Sequence, residues 1–135
     1  MQNDAVIMMY VHRIIKTIVL TSVVLFIASC SQSNLCGSDE QFRVKSVNND
    51  FESVVIKENC GATTSFSYKV FIVKRGESVE ESNEVFLADH VEGLDVSWVS
   101  ATSLLITYEQ ARIFFFKNFS FVSGKSISIV EKKLE

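Results

Sequence analysis

The chain has 135 residues, 13 basic and 16 acidic side chains and a net charge of −3, a length that suits one small domain. There is no basic surplus, so nucleic acid is not an expected partner. Two histidines and three cysteines leave little material for a metal centre, and no cofactor is expected.

The first predicted element is N-terminal. Arg13 and Lys16 precede an apolar run from Thr17 to Ile27 that only Thr21 and Ser22 interrupt. From Ile14 to Ala28 the stretch is about 15 residues, short of the roughly 20 that a bilayer-spanning helix needs. A basic leader, an apolar stretch and small residues make a secretory signal, here a signal helix over residues 1–29. Asp4 is an acid where signals carry bases, so a start at Met8 or Met9 fits better than Met1. An uncleaved anchor, with Cys30 an ordinary cysteine, is the competing reading.

The run Leu25-Phe26-Ile27-Ala28-Ser29-Cys30 closes this segment. Ile27-Ala28-Ser29-Cys30 resembles the lipobox of bacterial lipoproteins. The resemblance implies cleavage before Cys30 and a diacylglyceryl group on its sulfur, and so a protein of the bacterial cell envelope that meets the membrane through lipid. Ser31 in place of an aspartate implies the outer membrane, facing the periplasm, if the cell is diderm. Two or more acyl chains hold a protein firmly where one binds only marginally. Residues 30–40 then form a flexible tether, with Ser31-Gln32-Ser33-Asn34 polar throughout. Removing Arg13, Lys16 and Asp4 leaves a net charge near −4.

With Cys30 lipidated, Cys36 and Cys60 remain as an even pair. In an exported protein this is most simply a disulfide, free thiols being the alternative. It closes a loop of about 25 residues and contributes about 3 kcal/mol on a chain-entropy argument.

Residues 41–135 read as a β domain. Phe42 and Val44 alternate with Arg43 and Lys45, and Asn48-Asn49-Asp50 signals a turn. Phe51 to Glu58 holds the strand core Ser53-Val54-Val55-Ile56. Phe66, Tyr68, Val70 and Ile72 share a face of the next strand, and Phe71 and Val73 predict that its far end is covered on both sides. The acidic run Glu77 to Glu84 reads as a solvated loop, since it lacks the ordered spacing of a calcium loop. Val85 to Ala88 is a strand, and His90 to Gly93 a loop. Val96 and Trp98 share a face of Asp95 to Val99, and Leu104, Ile106 and Tyr108 a face of the following strand. In Arg112 to Asn118, Phe114-Phe115-Phe116 predicts a strand buried on both faces; an exposed face there would be a contact patch for another envelope protein. Ser126 to Glu131 is the last strand. Short strands, hairpin-length links and no helical period predict an all-β, small antiparallel meander: a sandwich, a curled sheet or a propeller-blade-like sheet. The chain has no proline, so edge protection falls to Lys and Glu, as in Lys132-Lys133.

The motifs Leu35-Cys36-Gly37, Cys60-Gly61-Ala62-Thr63-Thr64, Phe66-Ser67 with Val70 and Ile72, Val96-Ser97-Trp98 and Leu104-Leu105-Ile106-Thr107-Tyr108 resemble those of a family of short, uncharacterised bacterial envelope proteins. Relatives carry a Ser-Pro-Asp-Gly-Lys turn where Val47-Asn48-Asn49-Asp50-Phe51 stands here. The resemblance supports the fold and supplies no activity.

Thr63, Thr64, Ser65 and Ser67 make a hydroxyl-rich stretch that reads either as a binding surface or, in the reading favoured here, as turn and strand-face polarity. A serine nucleophile needs a base, and past the signal only His90 offers one. Asp89 precedes it directly, and adjacent strand residues point to opposite faces, so no triad is expected unless the chain bends. Asp95 and Glu109 are a carboxylate pair that reads as solubilising strand ends. No catalytic residue is assigned and no enzyme is expected. The leading expectation is a non-enzymatic envelope protein acting by binding or structural support. The alternative is a periplasmic inhibitor of a hydrolase such as lysozyme.

Overall fold

The computed structural model describes residues 7–16, 18, 36–61 and 63–135. The chain divides into two units, Met1–Asn34 and Leu35–Glu135. In the first, residues 7–16 and 18 are helical, and no described helix is long and apolar enough to cross a membrane. The run Thr17 to Ile27 (Ile18 apart), Cys30 with its lipidation, and Ala62 of the Cys-Gly-Ala-Thr-Thr motif lie outside the described residues.

The second unit is all-β. Its strands are β1 (Gly37–Lys45), β2 (Phe51–Asn59), β3 (Ser67–Lys74), β4 (Glu84–Glu92), β5 (Asp95–Ser100), β6 (Ser103–Tyr108), β7 (Gln110–Phe116), β8 (Phe119–Val122) and β9 (Lys125–Lys133). They form two sheets, β1-β2-β3-β4-β7 and β5-β6-β9-β8. The first four strands follow as an antiparallel meander, with a close turn at Asn48-Asn49-Asp50 between β1 and β2 and longer links after β2 and β3. Asn49, with φ 63°, takes a left-handed turn position that asparagine tolerates.

The chain then changes sheets twice. After β4 it crosses to the second sheet through Gly93, and after β6 it crosses back through Glu109 to add β7 beside β4. The crossings lie side by side, with the Glu109 N–H donating to the Glu92 carbonyl at 2.9 Å. Gly93 has φ 66°, and a Cβ there would sit 2.7 Å from Glu109 Cγ, so backbone and crowding both favour glycine. Because β7 leaves the second sheet, β9 returns beside β6 in parallel, the one parallel ladder among those described.

The inner faces of both sheets share one core. Phe51, Val55, Val70, Ile72, Phe86 and Ala88 meet Val96, Leu104, Ile106, Ile127 and Ile129. Trp98 helps bind the layers, stacking on Phe51 and donating from Nε1 to the Val44 carbonyl at 3.1 Å. A second, smaller cluster of Val54, Phe71 and Val73 lies on the outer face of the first sheet. The two-sided covering expected of Phe71 and Val73 is therefore present. Its cover includes Val79, which the acidic run lays against the cluster, so that run is not simply a solvated loop.

Other expectations need correction. β1 begins at Gly37, inside the stretch expected to be tether, because Gly37 to Glu40 already pair with β2. Phe66 precedes β3 and is exposed, leaving the inward face to Tyr68, Val70 and Ile72. His90 to Glu92 belong to β4. Phe114-Phe115-Phe116 is not buried on both faces: β7 is an edge strand, and Phe114 is 58 % exposed. With a bulge opposite Leu87 and Ala88, β7 packs Ala111, Ile113 and Phe116 against the core. The strand β8, absent from the sequence reading, carries Phe119 and Phe121 outward.

Candidate functional site

One end of the β unit gathers most of the polar residues singled out above. Cys36 precedes β1 and Cys60 follows β2, and the bridge between them joins the ends of paired strands, with Gly37 opposite Asn59. The expected disulfide is thus present. Residues 60–61 and 63–66 follow as a turn before β3. Asn59 Oδ1 accepts from the Gly61 N–H at 3.1 Å. The Thr64 hydroxyl and N–H both donate to the Gly61 carbonyl, at 3.1 and 3.2 Å. Thr64 therefore serves the turn. Thr63, Thr64 and Ser65 are exposed and Ser67 is half-buried opposite Glu58 and Asp89.

Ser65 does something else. Its Oγ lies 3.1 Å from His90 Nε2, and His90 Nδ1 lies 3.0 Å from Asp89 Oδ1. Strand alternation should have separated Asp89 from His90. It does not, because His90 sits at φ 50° beside a ladder irregularity between Asp89 and Glu92, and its ring folds back toward its neighbour. The two ring nitrogens thus reach the hydroxyl on one side and the carboxylate on the other, the donor and acceptor roles following from the tautomer.

Asp89 has a stronger partner. Arg112, opposite it on β7, donates from Nε at 2.7 Å to Oδ1 and from a terminal nitrogen to Oδ2. This fork, with His90 adding to it, holds the nearly buried Asp89 carboxyl far below the usual carboxylate range, and Asp89 raises the Arg112 pKa in return. Ser65 and His90 open onto a groove of about 300 Å³ with Phe66, Tyr68 and Val91 as apolar walls and Glu92 and Gln110 beyond. Phe66 also borders a second hollow of about 470 Å³ along Gly37, Ser38, Asp39, Gln41, Lys57 and Asn59. The Lys57 ammonium lies 3.8 Å from the Phe66 ring centre and holds this wall upright.

Asp95 stands opposite Thr107, and the Glu109 side chain packs against Gly93. No group of three metal-binding side chains exists among the described residues. Arg112 was invisible as a site residue in the sequence, because only the β4–β7 register brings it to Asp89. No family model, no curated protein and no solved structure matches the chain.

Proposed function

We propose that this protein is a lipid-anchored protein of the bacterial cell envelope that acts by binding rather than by chemistry. The observation that carries the reading is the apolar run ending in Ile27-Ala28-Ser29-Cys30. The cysteine pattern supports it. Cys36 and Cys60 are joined, so of the three cysteines Cys30 is the one left for another role. A disulfide also fits an exported protein. The resemblance of the strand motifs to short envelope proteins points the same way. Outer-membrane attachment follows from Ser31 where the cell has that membrane.

Intact mass of the membrane-extracted chain, before and after reduction, tests this. The expected species begins at Cys30, carries acyl groups and gains the mass of two hydrogens on reduction. An uncut chain without acyl groups would overturn the reading.

One observation favours a second reading. The line Ser65–His90–Asp89 has the nitrogen order of an acyl-transfer relay, with Nε2 toward the hydroxyl and Nδ1 toward the carboxylate. Two features weigh against catalysis. His90 is half-exposed, so water screens the pair, and the Asp89 charge is already matched by Arg112. On the binding reading these residues instead latch the 60–66 turn to β4. A fluorophosphonate probe separates the two: stable labelling of Ser65 that His90→Ala abolishes would establish a hydrolytic site, and no adduct is expected.

A further inference from the structure

The outer face of the second sheet carries almost no charge. From β8 project Phe119 and Phe121, and from β9 Ser126, Ser128 and Val130. Leu105, Ser103 and Thr107 of β6 stand beside them, followed by Ser97 of β5. Phe119 is 54 %, Phe121 70 % and Val130 52 % exposed, and Val99 at the adjoining bulge is 66 % exposed. The two phenylalanine rings meet edge to face at 5.7 Å. The ladders place these residues in rows, Phe119 beside Ser128 beside Ser103, and Val130 beside Leu105 beside Ser97. Charge returns only in the end row, where Lys132 and Asp95 flank Thr107.

We infer that this face lies on the lipid surface to which the chain is tethered, with Phe119, Phe121, Val130 and Leu105 at the level of the headgroups and upper acyl chains. The inference rests on the lipid reading of Cys30 proposed above. Three considerations choose lipid over other occupants. The first is area. Four strands about 4.8 Å apart and about six residues long present only ~400 Å². A stable protein interface buries about 800 Å² on each partner. So small a face suffices only when something else supplies proximity. The second is reach. Residues 31–36 separate Cys30 from β1, at most about 20 Å of extended chain. A domain held that close meets the bilayer at high effective concentration and has slack enough to lie on its side. The third is charge. Bacterial lipid surfaces are commonly anionic and repel carboxylates. Of the carboxylates on described strands, this sheet holds Asp95, in the end row, and Glu131, which accepts from the Tyr108 hydroxyl, whereas Glu40, Glu52, Glu58, Glu84 and Asp89 lie on strands of the other sheet. Seryl and threonyl hydroxyls match the glycerol and phosphate oxygens between the apolar contacts.

The test uses the full acylated chain in vesicles of phosphatidylethanolamine and phosphatidylglycerol at 3:1, part of whose acyl chains are brominated. Bromine quenches indole at short range. The chain has a single tryptophan, Trp98, so the unaltered protein gives the baseline. Phe121→Trp is expected to add emission that brominated lipid quenches at least twofold more than the baseline. Ser78→Trp, in the exposed loop over the first sheet, is expected to add emission that is not quenched. Equal quenching of the two, or none in Phe121→Trp, would overturn the inference. So would a dimer through this face, seen as protection of Phe121→Trp from a soluble quencher that tracks protein density and not lipid composition. An intact mass without acyl groups defeats the anchored reading and this inference together. Acylated protein with unquenched Phe121→Trp defeats the inference alone.

Discussion

The two outer faces of the sandwich solve the same problem in opposite ways. Each sheet has one face in the shared core and one turned away from it. On the first sheet the far face is covered and charged. Val54, Phe71 and Val73 are sealed with help from Val79, and around them run ion pairs: Arg43 bonds Glu40 at 3.1 Å and Glu52 at 2.9 Å, and Lys69 bonds Glu58 at 2.9 Å. Arg43 also donates to the Glu77 carbonyl, so the same guanidinium ties the covering loop down. On the second sheet the far face is bare, with phenylalanine, valine, leucine and hydroxyls, and charge only in the end row of Lys132 and Asp95. The difference shows that exposed phenylalanine here is not a failure of burial. The fold covers the central apolar groups of the first sheet's outer face, leaving Phe114 and Phe115 exposed only at its edge strand, and leaves those of the second sheet open.

The contrast predicts unequal responses to like substitutions. The largest belongs to the covered cluster. Phe71→Ala opens a cavity at a residue only 4 % exposed and is expected to cost about 3–5 kcal/mol in urea unfolding. Phe121→Ala on the bare face removes a ring that is already in water and is expected to stay within about 0.5 kcal/mol. Equal effects would erase the distinction between the faces.

Reduction comes next. Breaking Cys36–Cys60 frees the ends of β1 and β2 and should cost about 3 kcal/mol. Hydrogen exchange should quicken in β1 and β2 well before β6 and β9, because the bridge touches only the first sheet. Gly93→Ala strains the double crossing between the sheets, through both its left-handed backbone and the contact with Glu109, and should cost about 1–3 kcal/mol. Thermal unfolding of that variant measures it, and removing the crowding with Glu109→Ala should recover only part of the loss.

The smallest effect concerns the ion network. Glu52 is almost buried, and the Arg43 hydrogen bond, with the Gly76 N–H adding to it, holds its carboxyl below the ordinary value. Arg43→Met leaves that carboxylate without its main partner and should cost about 1–2 kcal/mol at pH 7. The pH sign follows from lowered native values at Glu52 and Asp89. Their contribution is complete above the ordinary carboxylate range, about pH 4, and is lost as pH falls through the lower native values. Glu84 runs the other way, since burial raises it, and it regains a little stability on protonation. Acid unfolding should therefore begin in the first sheet. Arg43→Met should flatten the acid limb, and a limb unchanged in that variant would remove Glu52 from the account.

Much of the fold was legible because strands with one buried face write a period of two. Val54 with Ile56, Val70 with Ile72, Val96 with Trp98, and Leu104 with Ile106 all fall where alternation puts them. The expectation of a lipid on Cys30 likewise pointed to Cys36–Cys60, since it left those two cysteines as a single pair. Alternation says which way a side chain points and nothing about which strand lies beside it. The parallel pairing of β6 with β9, the edge position that exposes Phe114, and the meeting of Arg112 with Asp89 all depend on two changes of sheet near Gly93 and Glu109. Local composition cannot encode those changes, because the contacts that favour them are far apart in the chain. His90 shows the same limit at one residue. By strand alternation it turns away from Asp89 unless the chain bends. A left-handed backbone at φ 50°, held within the β4–β7 ladder, turns it back, and only the packed sheets stabilise that conformation.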